Sequence, residues 1–288
     1  MKGLILAGGS ATRLRPASFA VSKQLMPVYD KPLIYYPLTT LILSGIREVL
    51  LITSPQELDN FKRLFSRSDT WGINIEFAEQ PNPGGLAEAL IIGEEFIGES
   101  SSTLILGDNL FHGTGLGRNL SDGFDGVGAQ IAAYRVADPR AFGVVEFDSD
   151  GNVLSLEEKP ERPKSNWVVP GIYKYDGSAS SRAKRLKRSP RGELEITDLN
   201  LSYLEDGLLK VQVFQRGTTW LDMGTPNSLL EAAEYIRVIQ ERQGTLVGSP
   251  EEAAWSMGLI DDEVLISIAK ENGNTEYANS LISLVKER

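Results

Sequence analysis

The chain has 288 residues, of which 41% are hydrophobic and 24% are charged, a composition typical of soluble globular proteins. It contains no cysteine and one histidine, His112, which excludes disulfides, thiolate zinc sites and sites with several imidazole ligands. The net charge of −10 argues against nucleic acid as a partner, but it allows a small phosphorylated ligand in a local basic pocket. We interpret His112 as structural or incidental.

Membrane segments are not expected in this sequence. No stretch approaches the roughly 18 consecutive apolar residues that a membrane span needs. The apolar run from Gly3 to Gly8 is too short for the core of a signal peptide. We therefore predict a cytoplasmic protein with no membrane partner.

The first third of the chain alternates β-rich and helical segments, which is typical of parallel strands joined by helical crossovers. The predicted strands cover residues 2–7, 48–53, 74–79 and 103–106. The predicted helices between them cover residues 32–44 and 86–96.

The rest of the chain follows a different pattern. Residues 129–175 read as short strands separated by turns, which indicates antiparallel or mixed pairing, and helices are predicted over 197–205 and 226–242. Beyond Gly244 the pattern is wholly helical. We predict an α/β fold with a Rossmann-like, mixed but mainly parallel sheet flanked by helices. This main domain spans residues 1–243, and a helical carboxyl-terminal segment spans 244–288.

A glycine-rich turn follows the first predicted strand and could bind an anion. Its residues are Gly8, Gly9, Ser10, Ala11, Thr12 and Arg13, and a second cation, Lys23, follows. The backbone amides of such a turn can converge on a phosphate. An ordinary tight turn with solvated charges is the simpler interpretation of the glycines alone. The turn matches neither the dinucleotide fingerprint nor the P-loop.

Two aspartates follow predicted strands, at the positions where ligands collect in α/β sheets. Asp108 comes after residues 103–106, and Asp222 follows Trp220 and Leu221. Magnesium is commonly held by one or two carboxylates together with substrate phosphates and water, so the two aspartates could share an Mg²⁺ ion. Spacing alone also allows a turn at Asp108 and a capping or loop role for Asp222.

Taken in order, the motifs of this chain resemble those of the sugar-1-phosphate nucleotidylyltransferases, and most closely the short-form branch that uses dTTP and glucose 1-phosphate. The resemblance spans nearly the whole chain. The motifs are Gly8 to Leu14, Ser22 to Pro32, Gly85-Leu86-Ala87, Leu106-Gly107-Asp108-Asn109, Phe142 to Val145, Glu157 to Pro160, Arg191 to Asp198 and Trp220 to Thr225.

The resemblance implies an Mg²⁺-dependent enzyme that makes dTDP-glucose and pyrophosphate from dTTP and α-D-glucose 1-phosphate. It also implies a homotetramer, and a carboxyl-terminal segment that serves oligomerisation and possible feedback inhibition by a dTDP-sugar. The implied metal ligands are Asp108 and Asp222. The implied catalytic residues are Arg13, Lys23 and Lys159. The implied nucleotide-binding residues are Gly8, Gly9, Ser10, Ala11, Thr12, Arg13, Lys23, Gln80, Gly85 and Asp108. The implied sugar-phosphate residues are Asp108, Gly143, Glu158, Lys159, Val169 and Arg191.

Three sites depart from the family pattern. At one of them Ala17-Ser18 replaces a threonine that is common shortly after the proline equivalent to Pro16. Ala11 stands where the family usually has glycine, and we predict a negative φ there because a Cβ disfavours left-handed geometry. Glu88 stands where glutamine is usual, and we expect it on the outer face of a helix, without consequence.

Glu158 and Lys159 should alternate faces in an extended chain and so take different partners.

Three alternative functions stay open at this level. A sister enzyme could use UTP or CTP, because the thymine methyl is worth only about 1 to 3 kcal/mol of discrimination. A nucleotide-sugar sensor could bind without catalysis, although Arg13, Lys23, Asp108 and Asp222 argue against it. A nicotinamide-dependent oxidoreductase is disfavoured because the glycine fingerprint is absent.

Overall fold

The computed structural model describes residues 1–9 and 11–287, and its elements are numbered in chain order. The strands are β1 (Lys2–Ala7), β2 (Pro27–Val28), β3 (Lys31–Pro32), β4 (Glu48–Thr53), β5 (Asn74–Glu79), β6 (Ser102–Leu106), β7 (Asn109–His112), β8 (Ala129–Arg135), β9 (Gly143–Phe147), β10 (Val153–Glu158), β11 (Trp167–Val168), β12 (Ile172–Tyr175), β13 (Leu209–Val213) and β14 (Thr219–Asp222). The helices are α1 (Tyr35–Leu43), α2 (Leu58–Leu64), α3 (Glu88–Ile92), α4 (Glu94–Ile97), α5 (Leu116–Ser121), α6 (Ala179–Ala183), α7 (Ile196–Glu205), α8 (Pro226–Gln243), α9 (Pro250–Ser256), α10 (Asp262–Glu271) and α11 (Glu276–Lys286).

Within the described residues the main sheet is mixed, with β1 third from the β5 edge. The strand order is β10-β9-β11-β8-β12-β6-β1-β4-β5, and β13 pairs with β8. Strand β1 is parallel to β4 and β6, and β4 is parallel to β5. Strand β12 joins antiparallel to both β6 and β8. The predicted fold class is therefore confirmed. The predicted first four strands form one parallel group, and β13 is parallel to β8.

Both faces of the sheet are covered at β1, and the side chains of this strand that enter the interior are all apolar. Side chains alternate along a strand, so Leu4 and Leu6 face one way while Ile5 and Ala7 face the other. The first pair joins the core beneath α3, α6 and α7, and the second pair joins the core beneath α1 and α2. Such double coverage explains the nearly continuous apolar run of this strand.

A separate two-stranded ladder extends the sheet at the point where β6 ends. Strand β7 begins three residues after Leu106 and pairs antiparallel with β14, so that Asn109 lies opposite Asp222. Long-range pairing thus connects two segments that are distant in sequence, and it carries both predicted acidic residues to one place.

The carboxyl-terminal helices pack against the rest of the chain through α9, which contacts α1 and the short 3-10 helix at Ser68–Trp71. Helix α8 is capped at both ends: the Thr225 side chain accepts from the Ser228 amide, and Gly244 has the left-handed φ of 68° that ends a helix. No helix in the described ranges is both long and apolar enough to cross a membrane.

Candidate active site

The carboxyl ends of the parallel strands meet at one edge of the sheet, as they must in this topology. Gly8 follows β1, Gln80 follows β5 and Asp108 follows β6 shortly after its end. A Cβ built on Gly8 would lie 2.6 Å from Oε1 of Gln80, so these two residues are in direct contact. Predicted nucleotide-binding residues from separate strands are therefore neighbours.

Asp108 and Asp222 lie together at this edge. Asp222 is opposite Asn109 in the β7–β14 ladder, and the Met223 amide donates to the Asp108 carbonyl oxygen at 3.0 Å. Burial and then the negative charge of Asp108 raise the pKa of Asp222 to about 6. The two carboxylates therefore repel each other in a poorly solvated position.

Three cations surround this acidic pair. Lys23, on a 3-10 turn, forms an ion pair with Asp108 in which both side chains are largely buried. The charges of Lys23, Arg13 and Lys159 all act to lower the pKa of Asp222. The Arg13 guanidinium lies against Gly224, where an added Cβ would be 2.7 Å from its Nη2. All three residues predicted to be catalytic thus face the acidic pair.

The donor set fits a hard divalent cation. The ligands that the protein itself offers to a metal ion at this site are the Asp108 and Asp222 carboxylates. Within residues 1–9 and 11–287 there is no cluster of three or more possible ligands among His, Cys, Asp and Glu. One or two carboxylates completed by substrate phosphates and water are the usual magnesium environment. A cation bound between the two carboxylates would relieve the repulsion that, together with burial, raises the pKa of Asp222.

Asn109 orients the acidic pair, a role that sequence reasoning missed. Its side chain is buried, and its Nδ2 donates to Asp108 at 2.9 Å. Its Oδ1 accepts from the Trp220 indole at 2.6 Å and from the Gly171 amide at 3.1 Å. Asn109 therefore links β7 to β14 and to the segment before β12. No local pattern indicated this, because Trp220 and Gly171 are distant in sequence and adjacency to Asp108 does not by itself predict a side-chain hydrogen bond.

The predicted backbone geometry of Ala11 is wrong. Ala11 has φ 45° and ψ 37°, which is left-handed, instead of the negative φ expected from its Cβ. Its carbonyl oxygen accepts from the Leu14 amide at 3.0 Å and from the Ser18 hydroxyl at 2.8 Å. These local hydrogen bonds offset a strain of about 1 to 2 kcal/mol and keep the glycine-like turn shape. Ser10, also predicted to bind nucleotide, lies outside the described residues.

The predicted sugar-binding residues also lie together. Glu158 pairs with Gly143 across the β9–β10 ladder, and the Val169 amide donates to the Gly143 carbonyl at 2.8 Å. The Thr197 hydroxyl donates to Glu158 at 2.6 Å and so fixes this carboxylate next to Gly143. Thr197 was not among the predicted site residues, although it belongs to one of the motifs.

Lys159 departs from the extended chain that the sequence predicts. Its φ is 45°, and its Nζ lies 3.1 Å from Oε1 of Glu158. The expectation that Glu158 and Lys159 take different partners is therefore wrong, because a left-handed residue at the end of β10 breaks the alternation of faces. The positive charge of Lys159 also acts to lower the pKa of Asp222.

Arg191 lies on the sugar side but is held by acidic neighbours. Its Nη2 contacts Glu195 at 2.9 Å and Glu193 at 3.4 Å, and the Glu195 hydrogen bond is the main cause that raises the pKa of Arg191. The charge of Glu158 contributes to the same shift. A phosphate that binds Arg191 would compete with Glu195.

The predicted base-binding residues Gln80 and Gly85 contact each other, and Glu88 contacts Gln80. Nε2 of Gln80 lies 3.4 Å from the Gly85 carbonyl and donates to Oε2 of Glu88 at 2.8 Å. The expectation that Glu88 lies on an outer helix face is wrong. Glu88 is the first residue of α3, and side chains there point back toward the helix amino terminus, in this case into the site.

His112 lies away from these charges. Its Nδ1 is 2.7 Å from the Tyr235 hydroxyl of α8, and burial lowers its pKa. The histidine thus connects the β7–β14 ladder to α8.

Together these observations describe a mixed α/β sheet whose carboxyl edge gathers a glycine-rich turn, cations and two acids. They define a class of enzymes that bind phosphorylated nucleotides and transfer part of them. The chain belongs to the nucleotidyl transferase family, whose model matches residues 2–238.

Curated relatives cover the whole chain. The glucose-1-phosphate thymidylyltransferase of Mycolicibacterium smegmatis is 52% identical over 285 residues, which is 99% of both proteins. The protein of the same name from Neisseria meningitidis is 51% identical over 288 residues, the full length of both. The resemblance inferred from the motifs is therefore confirmed.

Two solved structures share the fold. A structure described as a glucose-1-phosphate thymidylyltransferase from Bacillus anthracis in complex with a sucrose has a TM-score of 0.76 and 36% identity, and the match covers 82% of this chain and 95% of that one. A UDP-glucose pyrophosphorylase complexed with UDP-glucose has a TM-score of 0.72 over 82% of this chain and 98% of its own. At 23% identity the second supports the fold alone.

The hydrogen bonds of Asn109 lead to a stability prediction. Asn109→Ala should destabilise the protein by about 1 to 3 kcal/mol, because the buried Trp220 indole and Gly171 amide lose their acceptor. Urea unfolding measures this free energy, and Asn74→Ala, at an exposed asparagine, is the matched control. Equal midpoints for the two variants would contradict a structural role for Asn109.

Proposed function

We propose that the protein transfers the thymidylyl group of dTTP to α-D-glucose 1-phosphate, giving dTDP-glucose and pyrophosphate. The observation that carries this proposal is the convergence of Asp108 and Asp222 with three cations at the carboxyl edge of the parallel strands. The full-length relatives, about half identical to this chain, support the choice of substrates.

The sugar phosphate attacks the α-phosphorus directly and in line with the departing pyrophosphate. The second pKa of a phosphate monoester is about 6, so the nucleophile is mostly a dianion near neutral pH and needs no general base. Positioning and charge neutralisation are then the main requirements. This chemistry agrees with a site rich in cations in which the only histidine bonds Tyr235 instead.

The cations divide the work between the two substrates. Arg13, beside the glycine-rich turn, neutralises the departing pyrophosphate, and Lys23 polarises the α-phosphate. Lys159 and Arg191 hold the attacking phosphate. Lys23 must exchange its Asp108 partner for a phosphate oxygen, and Arg191 must exchange Glu195 in the same way. Substrate binding therefore replaces ion pairs within the protein by ion pairs with phosphate.

Asp108 and Asp222 would hold Mg²⁺. When bound, this ion neutralises charge on the triphosphate and polarises the α-phosphate. The protein itself contributes the orientation of the ligands, since Asn109 and the β7–β14 ladder fix both carboxylates.

The remaining contacts select the two substrates. Gln80 and Gly85 meet the pyrimidine, because an amide offers both a donor and an acceptor to its edge. The amides of Gly8, Gly9, Ala11 and Thr12 cradle the phosphates, and Ser10 is proposed to bind the nucleotide with them. Gly143 and Val169 line the sugar pocket through their backbones, and Glu158 accepts hydrogen bonds from sugar hydroxyls.

A substrate panel tests this function. Pyrophosphate release should be fastest with dTTP and glucose 1-phosphate, weaker with UTP, and dependent on added Mg²⁺. Excess chelator should abolish the release. Faster turnover with UTP or CTP would instead make the protein a sister enzyme, and no release with any pair would leave a nucleotide-sugar sensor.

Removing one carboxylate tests the metal assignment. Asp108→Asn and Asp222→Asn should each lower turnover by about a hundredfold, by analogy with the loss of one preorganised electrostatic group. Thermal melting should show no loss of stability in Asp222→Asn. The raised folded-state pKa means that ionised Asp222 opposes folding at neutral pH, and asparagine removes that charge. Near-normal turnover in either variant would show that the replaced aspartate is not a metal ligand.

The proposed assembly is a cytoplasmic homotetramer in which residues 1–243 form the catalytic domain. Residues 244–288 would serve oligomerisation and possible feedback inhibition by a dTDP-sugar. Helix α8 supports a subunit contact through the exposed apolar side chains of Leu230 and Val238. Light scattering should report four chains at assay concentrations. The double variant Leu230→Glu, Val238→Glu should show fewer chains. A monomer in the parent protein would contradict the assembly.

A further inference from the structure

We propose that Lys31 is a positioning residue that connects the carboxyl-terminal segment, residues 244–288, to the 3-10 turn that carries Lys23. The inference rests on the proposed role of Lys23 at the α-phosphate. The match to the nucleotidyl transferase model ends at residue 238, before this segment begins. The inference makes the segment part of the catalytic unit, in addition to its proposed role in assembly.

Lys31 is a buried ammonium group whose donors are all used. It lies in the β2–β3 hairpin and is 3% exposed. Its Nζ donates to Oδ1 of the neighbouring Asp30, and at 3.1 Å to both Oε1 of Gln240 and the carbonyl oxygen of Val247. An ammonium group has three N–H donors, so each of them has an acceptor. Lys31 therefore joins the hairpin to the end of α8 and to the first residues of the carboxyl-terminal segment.

Helices α9 and α11 of the carboxyl-terminal segment complete the surroundings of this cation. The ring of Tyr277 on α11 lies 5.4 Å from Nζ, and the Tyr277 hydroxyl donates to the buried carboxylate of Glu251 on α9. Burial lowers the pKa of the lysine, and the negative charges of Asp30, Glu251 and Glu252 oppose that shift. The carboxyl-terminal segment therefore supplies carboxylates that favour the charged form of Lys31.

The hairpin is bonded directly to the turn that carries Lys23. Leu33 follows Lys31 by two residues, and its amide donates to the Met26 carbonyl oxygen at 3.0 Å. The Met26 amide in turn donates to the Lys23 carbonyl oxygen at 3.1 Å. A displacement of the hairpin at Lys31 therefore moves the backbone of Lys23.

The position of Lys23 matters because its ammonium group must pass from Asp108 to a phosphate oxygen. Both side chains of this ion pair are largely buried, so the lysine has little freedom to compensate for a shift of its backbone. A displacement of about 1 Å in a reacting site can lower the rate by about a hundredfold. The sugar-side residues Glu158 and Lys159 belong to β10 and the turn after it, which the hairpin does not carry. Loss of the Lys31 contacts should therefore affect turnover more than sugar-phosphate binding.

Steady-state kinetics of Lys31→Met test the inference. Methionine is similar in length to lysine, so this change removes the charge and the donors while it keeps most of the volume. The kcat with dTTP should fall about tenfold or more, and the KM for glucose 1-phosphate should change little. The matched control is Lys174→Met, which removes another buried ammonium group, bonded to Gln130 at 2.9 Å. The control should keep the parent kcat, and an equal loss in both variants would overturn the inference.

Gln240→Ala provides a second test that leaves Lys31 in place, should Lys31→Met fail to fold. It removes one acceptor of Lys31 and the donor that bonds Asp30 at 3.0 Å. Alanine favours the helical conformation of α8, so the variant should fold. The kcat should fall in the same direction by a smaller factor, about threefold. A folded Gln240→Ala protein with the parent kcat would overturn the inference.

Lys23→Ala distinguishes failure of this inference from failure of the proposed function. It should lose most of the turnover, and adding Lys31→Met in that background should cause little further loss, because Lys31 acts through Lys23. Fully additive losses would mean that Lys31 has a separate, merely structural effect. If Lys23→Ala loses turnover while Lys31→Met keeps it, the role of Lys31 alone is overturned. If Lys23→Ala keeps the parent turnover, the proposed roles of Lys23 and Lys31 both fall.

Discussion

The site depends on the electrostatic balance between two buried carboxylates and the cations that surround them. Asp108 and Asp222 are brought together by the β7–β14 ladder, and burial followed by repulsion from Asp108 raises the pKa of Asp222. Lys23 and Arg13 reduce that repulsion without removing it. A site of this kind favours additional positive charge between the acids and negative charge beside the lysine and arginine. It is therefore suited to a metal-bound polyphosphate.

This balance requires rigid support, because carboxylates that repel each other would separate if they were free to rotate. Asn109 supplies much of the support: it holds Asp108 with its NH₂ group and ties the ladder together through Trp220 and Gly171. On the base side, Glu88 and Arg188 restrain Gln80 in a similar way. In both places the side-chain amide is buried, and its hydrogen-bond partners specify one orientation.

Several details could not be predicted because they depend on individual hydrogen bonds and ion pairs that hydrophobic patterns and propensities do not describe. Ala11 adopts a left-handed conformation, and its carbonyl oxygen accepts hydrogen bonds from Leu14 and Ser18. The backbone propensity of alanine does not predict this conformation. Lys159 leaves the extended chain at the end of β10 and pairs with Glu158. Glu88 could have been placed more accurately, because a residue in the first turn of a helix projects toward the helix amino terminus.

The sequence by itself determined the order of strands and helices, the family and the identity of the chemical groups, since these follow from local hydrophobic patterns and from motifs a few residues long. It also placed the acids and the glycine-rich turn at strand ends. Only the tertiary structure decided which side chains share a charge environment and which way each amide and carboxylate points. Those properties arise from burial and from pairing between distant segments, and in this protein the contacts of Asn109 and Glu88 belong to that second group.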